Sequence, residues 1–194
     1  MTEKINKRKL QAQQTRDNIY RTSVDLMKRK GLAHVTVEEI CKEAGVSVGS
    51  FYNYFKSKND ILNEIFKVAD DFFTEVIAQE LKSGTTHDRI IKYFNFYASY
   101  NVARGIDFIK HLYIVQSSMF ITKGRGMQNV LADIIREGKA TGEIASARSP
   151  EDIVRYLFIA VRGVIYDWCL HNGNYDLVAF VDDYVRQMLK ALCK

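Results

Sequence analysis

Apolar residues recur along the chain at three- and four-residue spacings, and sustained two-residue alternation is rare, so the pattern predicts helices rather than strands. A first helix is expected over 8–30, with Leu10, Ile19, Leu26 and Met27 near one face and Gly31 as its stop. Thr36 followed by Glu39 reads as a capping box that opens a short helix. Its apolar positions Val37, Ile40, Cys41 and Ala44 share one side before Gly45 breaks it. Ser47 caps a third helix reaching to about Phe55. Longer helices follow at 58–82, 86–103, 106–121, 126–140, 150–171 and 176–192. They are separated by Ser83-Gly84, Gly105, the stretch 124–126, Gly142 and the stretch 171–174. The expected fold is therefore all-α, with about nine helices.

The second and third helices carry the most specific signal. On a helical wheel Phe51 and Phe55 point together toward a core, while Gly49, Ser50, Asn53 and Tyr54 fall on the opposite side. Tyr52 lies at the border of the core face, with Val48 near it. A helix, a glycine-containing turn and a short helix with a small, polar outer face make a helix-turn-helix, motif 36–55.

Charge sharpens that reading. The net charge of +5 is confined to residues 1–60, which hold 12 Lys and Arg against 7 Asp and Glu; of the totals of 28 and 23, 16 of each remain for 61–194. A module with this asymmetry suits a polyanion, although a solubilising surface gives the same count. The second helix of such a pair lies in the major groove, with its outward side chains at base edges. Gly49 and Ser50 allow close approach, and Asn53 offers a donor and an acceptor to a base such as adenine. Tyrosine hydroxyls and lysines reach phosphates. The alternative is a helical hairpin that meets no nucleic acid.

The stretch TVEEICKEAGVSVGSFYNYFKSKNDIL, Thr36 to Leu62, resembles the TetR family of bacterial transcription regulators. The match lies in Ile40-Cys41, Ala44-Gly45-Val46-Ser47, Gly49-Ser50-Phe51-Tyr52, Tyr54-Phe55 and Lys58, and with the first helix it covers about 8–65. Cys41 departs from the family's usual Ala, but both are small and can be buried. The resemblance implies that Thr36, Ser47, Tyr52 and Lys58 touch phosphates. It places Val48, Gly49, Ser50 and Asn53 near base edges, with Tyr54 in either role. A basic arm, Lys4, Lys7, Arg8 and Lys9, could add backbone contacts or simply be solvated. The implied organisation is a three-helix DNA-binding domain, 1–56, followed by a larger helical ligand-binding and dimerisation domain, 57–194. The implied partners are a palindromic double-stranded operator, a second copy of the chain and a small-molecule effector. The implied role is a repressor released by a small, largely apolar ligand.

The second domain is less specific. Ile153, Leu157, Val161, Val164, Ile165 and Trp168, with Val181, Val185, Met188 and Leu192, form stripes that suit either a four-helix dimer bundle or an internal core. A dimer is expected because paired half-sites need two reading helices. The stretch 90–120 is rich in aromatics, and a mostly apolar pocket with a few polar groups is expected there. Its candidate lining is Phe94, Tyr97, Asn101, Tyr113, Gln116, Arg162 and Trp168, each of which could equally be ordinary core.

Other chemistries find little support. Asp167 and His171 share a helix face, but a third metal ligand is not evident, and a surface ion pair explains them better. The glycines at 124–126 lack the strand and Lys-Ser/Thr ending of a phosphate loop. No nucleophile triad or carboxylate pair can be argued, so neither an enzyme nor a cofactor is expected. Cys41, Cys169 and Cys193 do not suggest a disulfide framework. No secretory signal or membrane span is visible, and the expected location is the bacterial cytoplasm. Two other readings remain open: a DNA-binding regulator whose C-terminal domain takes a protein partner, and a helical enzyme or lipid carrier with an incidental basic end.

Overall fold

The computed structural model describes residues 2–31, 34–114 and 120–192, and among these all regular structure is helical. The helices are α1 (Thr2–Lys30), α2 (Val37–Ala44), α3 (Val48–Tyr54), α4 (Lys58–Phe72), α5 (Thr86–Val102), α6 (Ile106–Ile114), α7 (Gly126–Ala140), α8 (Pro150–Leu170) and α9 (Leu177–Leu192). The chain after α4 continues as a π-helical turn, Phe73–Ile77, and a last helical turn, Ala78–Glu80. The chain forms two compact units, Met1–Phe66 and Lys67–Lys194. The sequence placed the division at 56–57. The start of α4 belongs with the first unit because Ile61 and Ile65 are buried and Glu64 accepts a 2.7 Å bond from Arg16 of α1.

In the first unit, Ile19, Leu26 and Met27 of α1 are buried with Val35, Ile40, Cys41, Phe51, Phe55 and Ile61. Burial of this much apolar surface is the main force that holds so small a unit together. Leu10 does not join them. It is 61% exposed, and α1 begins about two turns earlier than the apolar pattern predicts. The added residues, Thr2–Lys7, include Glu3, Lys4 and Lys7, whose intrinsic helix propensity is good and extends the helix beyond its apolar stripe.

In the second unit α5 is the central helix, with Ile90, Tyr93, Phe94, Tyr97, Ala98 and Asn101 buried along its length. It packs most extensively against α9 and also against α7. Gly138 of α7 permits one of these approaches, because a Cβ there would fall 2.4 Å from the Cγ2 of Thr86 at the start of α5. The stripes on α8 and α9 are largely internal core: Ile153, Leu157, Val161, Val164, Ile165, Trp168, Val181 and Val185 are buried, Met188 is half-buried, and the Leu192 side chain lies outside the described residues. The start of α8 is as the sequence implies, with Ser149 accepting from the Asp152 amide at 3.1 Å and Pro150 in the first turn.

One ion pair is built into this core. Arg125, immediately before α7, donates from Nε to Asp70 Oδ2 at 3.0 Å and from Nη2 to Asp70 Oδ1 at 3.2 Å. Asp70 Oδ1 also accepts the Met127 amide at 3.2 Å. The Arg125 side chain is 4% exposed. The two-pronged geometry matches the planar fork of a guanidinium to the two oxygens of a carboxylate.

Candidate nucleic-acid interface

The α2–α3 corner is set by caps that the sequence encodes. Thr36 takes an extended conformation and its Oγ1 accepts from the Glu39 amide at 3.1 Å. The reciprocal half of the expected capping box is not seen. The Glu39 carboxylate instead accepts from Lys30 of α1, and that hydrogen bond, with the lysine's charge behind it, holds it below the usual carboxylate range. A long cation across the helix pair outcompetes a single backbone amide for that carboxylate. At the other end of α2, Gly45 sits at φ 67°, ψ 33° and Val46 donates back to the Cys41 carbonyl at 3.0 Å. This is a left-handed stop that favours glycine for its backbone conformation alone, since no atom would crowd a Cβ there. Asn18 of α1 donates to the Ala44 carbonyl at 2.8 Å and fixes the same end. Ser47 then caps α3 by accepting from the Ser50 amide at 3.1 Å.

With both ends fixed, α3 presents two distinct sides. Phe51 and Phe55 are buried, their ring centroids 5.9 Å apart, and the Arg16 guanidinium lies 5.2 Å from the centre of the Phe55 ring. Asn53 and Gly49 are exposed, while Ser50 and Tyr54 are half-buried. Tyr52 is 52% exposed and Val48 40%, so both stand on the outer side rather than at the core border where the wheel put them. The reason is length. A helix of seven residues has barely two turns, and only one residue of each turn reaches the core behind it.

Lys58 is differently placed from the rest of the set. Its ammonium donates to the Val35 carbonyl at 2.6 Å, which ties the start of α4 to the loop before α2. Lys56, one of the lysines expected near phosphates though not named singly, is exposed just after α3, and its backbone amide donates to Asp60 Oδ2 at 2.7 Å. Cys41 is buried and burial pushes its thiol up, in keeping with a small packing residue.

Two sets of observations bear on ancestry. Residues 19–65 match the family described as bacterial regulatory proteins, tetR family, and residues 120–191 match the family described as YsiA-like protein, C-terminal region. The chain is a member of the TetR family. A fatty acid metabolism regulator protein of Bacillus subtilis (strain 168) is 26% identical over 181 residues, 88% of this chain and 91% of that one. The fold superposes on the fatty acid degradation regulator FadR from Bacillus halodurans with a TM-score of 0.75 at 21% identity, covering 91% of this chain and 98% of that one. It also superposes on FadR from Bacillus subtilis in complex with stearoyl-CoA, with a TM-score of 0.69 at 24% identity, covering 87% and 95%. This TetR-family chain is a DNA-binding regulator of transcription, and its matching families and relatives are regulators rather than enzymes.

In the second unit several of the candidate ligand residues come together. The hydroxyls of Tyr97 and Tyr113 lie 3.2 Å apart, and the Tyr97 ring meets those of Phe94 and Phe158. Phe120 meets Tyr113 with centroids 4.8 Å apart. The Arg162 guanidinium lies 4.8 Å and 4.9 Å from the centres of the Phe120 and Phe158 rings, and its Nη1 donates to the Phe120 carbonyl at 2.6 Å. Burial, with the neighbouring Tyr97 next, pushes the Tyr113 hydroxyl well above its ordinary value, so it stays protonated and able to donate. Asn101 is buried one turn from Tyr97 and donates to the Tyr97 carbonyl at 2.7 Å. Trp168 serves a local purpose: its indole N–H donates to the Tyr175 carbonyl at 3.1 Å and its ring lies against Gly173. Gln116 lies outside the described residues. Phe158 was missed, although it stands four residues before Arg162 and so shares its helix face.

The Asp167–His171 pair is a surface contact, 3.3 Å from Nδ1 to Oδ2, and the described residues contain no group of three or more metal-binding side chains. No helix among the described residues is long and apolar enough to cross a membrane.

Proposed function

We propose that the protein is a homodimeric repressor that reads a palindromic operator with the outer side of α3 and leaves it when a small acyl-type ligand enters the second unit. The observation that carries the DNA half is the two-sided α3: Val48, Gly49, Tyr52 and Asn53 stand in solvent while Phe51 and Phe55 hold the helix from behind. Val48, Gly49, Ser50 and Asn53 take the base edges, and Asn53 is the side chain best suited to a bidentate contact with adenine. Thr36, Ser47, Tyr52 and Lys58 take phosphates, with Tyr54 in either role. Lys58 can do so only by sharing or giving up its bond to the Val35 carbonyl.

The ligand half rests on the aromatic cluster around Tyr97, Tyr113 and Arg162, which is mostly apolar with a few buried polar groups. An acyl chain suits such a lining, and the similar Bacillus subtilis FadR was crystallised with stearoyl-CoA. Dimerisation is supported by the side of α8 and α9 left outside the core: Tyr156, Ile159, Tyr166 and Leu170, with Phe180 and Tyr184, are all exposed. So many large apolar side chains on one helix pair exceed what a monomer usually shows. Action in the cytoplasm follows from this role.

The test is release. A labelled duplex recovered by selection from random sequence is bound to the protein, and dodecanoyl-CoA is added while anisotropy is read. A coupling of about 1–3 kcal/mol lowers affinity roughly 5–150-fold, which moves the signal toward that of free DNA when the protein is held near its Kd. A complex that persists at saturating dodecanoyl-CoA and at saturating dodecanoate alike counts against the acyl-ligand reading.

A further inference from the structure

Two arginines of the second unit are buried at their charged ends, and they are partnered very differently. Arg125 uses its Nε and Nη2 edge to grip both oxygens of Asp70. Arg162 has the same edge shielded from solvent, but Nε and Nη2 find no acceptor among the described residues. Only Nη1 is used, on the Phe120 carbonyl. A guanidinium does not lose its proton in proteins, so the group cannot escape this situation by becoming neutral. Buried charges are as a rule paired, because an unpaired one forfeits its hydration. The rings of Phe120 and Phe158 offset part of that loss through their π faces, but they accept nothing from the two N–H groups.

The Nε and Nη2 edge is the one a carboxylate occupies with both oxygens, as Asp70 does on Arg125. A single carbonyl oxygen would satisfy one N–H at full strength and leave the charge unmatched. Among the described residues the Tyr97 and Tyr113 hydroxyls belong to the same cluster; they share one hydrogen bond between them and so keep one O–H to donate. That donor would serve the same acceptor. We infer that Arg162 is the anchor for the carboxylate of a largely apolar free acid, held with its hydrocarbon against the aromatic cluster. This rests on the reading that the second unit takes a small apolar ligand, and it narrows that ligand to one with an ionised acid group at Arg162.

The experiment compares sodium dodecanoate, uncharged 1-dodecanol and dodecanoyl-CoA, with binding followed by calorimetry on the full chain. Dodecanoate is expected to bind the native protein at least tenfold more tightly than dodecanol. Arg162→Met should remove that preference, leaving dodecanol within about threefold of its native affinity. Arg162→Lys should recover only part of it, because an ammonium keeps the charge but lacks the fork. A purely structural arginine would lower the melting temperature of the ligand-free protein when changed to Met; a ligand anchor leaves it unchanged or higher. Equal binding of acid and alcohol by the native protein overturns the proposal, as does undiminished dodecanoate binding by Arg162→Met. Dodecanoyl-CoA that releases DNA equally from both proteins, with dodecanoate inert, overturns this inference and leaves the acyl-responsive repressor standing.

Discussion

The outer side of α3 and the edge of Arg162 both hold polar groups in reserve, but they do so in opposite surroundings. Asn53 and Tyr52 stand in water, so holding them ready costs nothing in desolvation and they can exchange water for DNA. Arg162 is held ready inside the protein, where an unmatched donor costs free energy until something accepts from it. The lesson is that an exposed reading surface is maintained by the packing behind it, whereas a buried recognition group draws on the stability of its whole unit. Arg125 shows the settled version of the second case, with its edge filled by Asp70.

The contrast is broken most severely from behind. Phe51→Ala removes a fully buried ring from the first unit and should cost about 3–5 kcal/mol in urea unfolding, taking DNA binding with it. Arg125→Met strands the Asp70 carboxylate and should cost roughly 3–5 kcal/mol by the same measurement. Arg162→Met, which strands no carboxylate, should cost far less, and equal losses at the two arginines would erase the distinction drawn between them. On the exposed side, Asn53→Ala should leave stability within about 0.5 kcal/mol of native. In a randomised-site selection it should relax base preference at one operator position, by about 1–3 kcal/mol. Lys58→Ala sits between the two cases. It should flatten the salt dependence of DNA binding by about one unit and, through the lost bond to Val35, lower stability by about 1 kcal/mol. An unchanged slope would leave Lys58 with a structural role alone.

The smallest effect is a titration. Burial raises the Cys169 thiol from 9.0 to about 11. The folded state therefore favours the protonated form, and this contribution is complete below about pH 9 and lost as pH rises toward about 11. Tyr175 is pushed up to about 12, chiefly by burial, and extends the decline to higher pH. Melting temperature should fall across that window, and Cys169→Ala should make the fall shallower.

The first unit was legible in the sequence because its determinants are local. Thr36, Gly45 and Ser47 each act within a few residues, and the spacing of Phe51 and Phe55 states which side is buried. What escaped was set by length and by competition: α3 is too short for Tyr52 to reach the core, and Lys30 claims the carboxylate that would have closed the capping box. The second unit was legible only as helices. Whether Leu157 and Val181 faced the interior or a second copy depends on which helices pack together, and period alone does not carry that. The pairing of Arg125 with Asp70, 55 residues apart, and the convergence of Phe158, Phe120 and Arg162 have no local signature.

The central claim is that α3 reads a duplex. Selection from a pool of random duplexes, carried out in parallel with the native protein and with a Ser50→Ala, Asn53→Ala variant, tests it most directly. Enrichment of one inverted-repeat sequence by the native protein, with degenerate positions appearing in each half-site for the variant, is the predicted result. Recovery of unenriched DNA by the native protein, or the same sequence recovered by both, would contradict it.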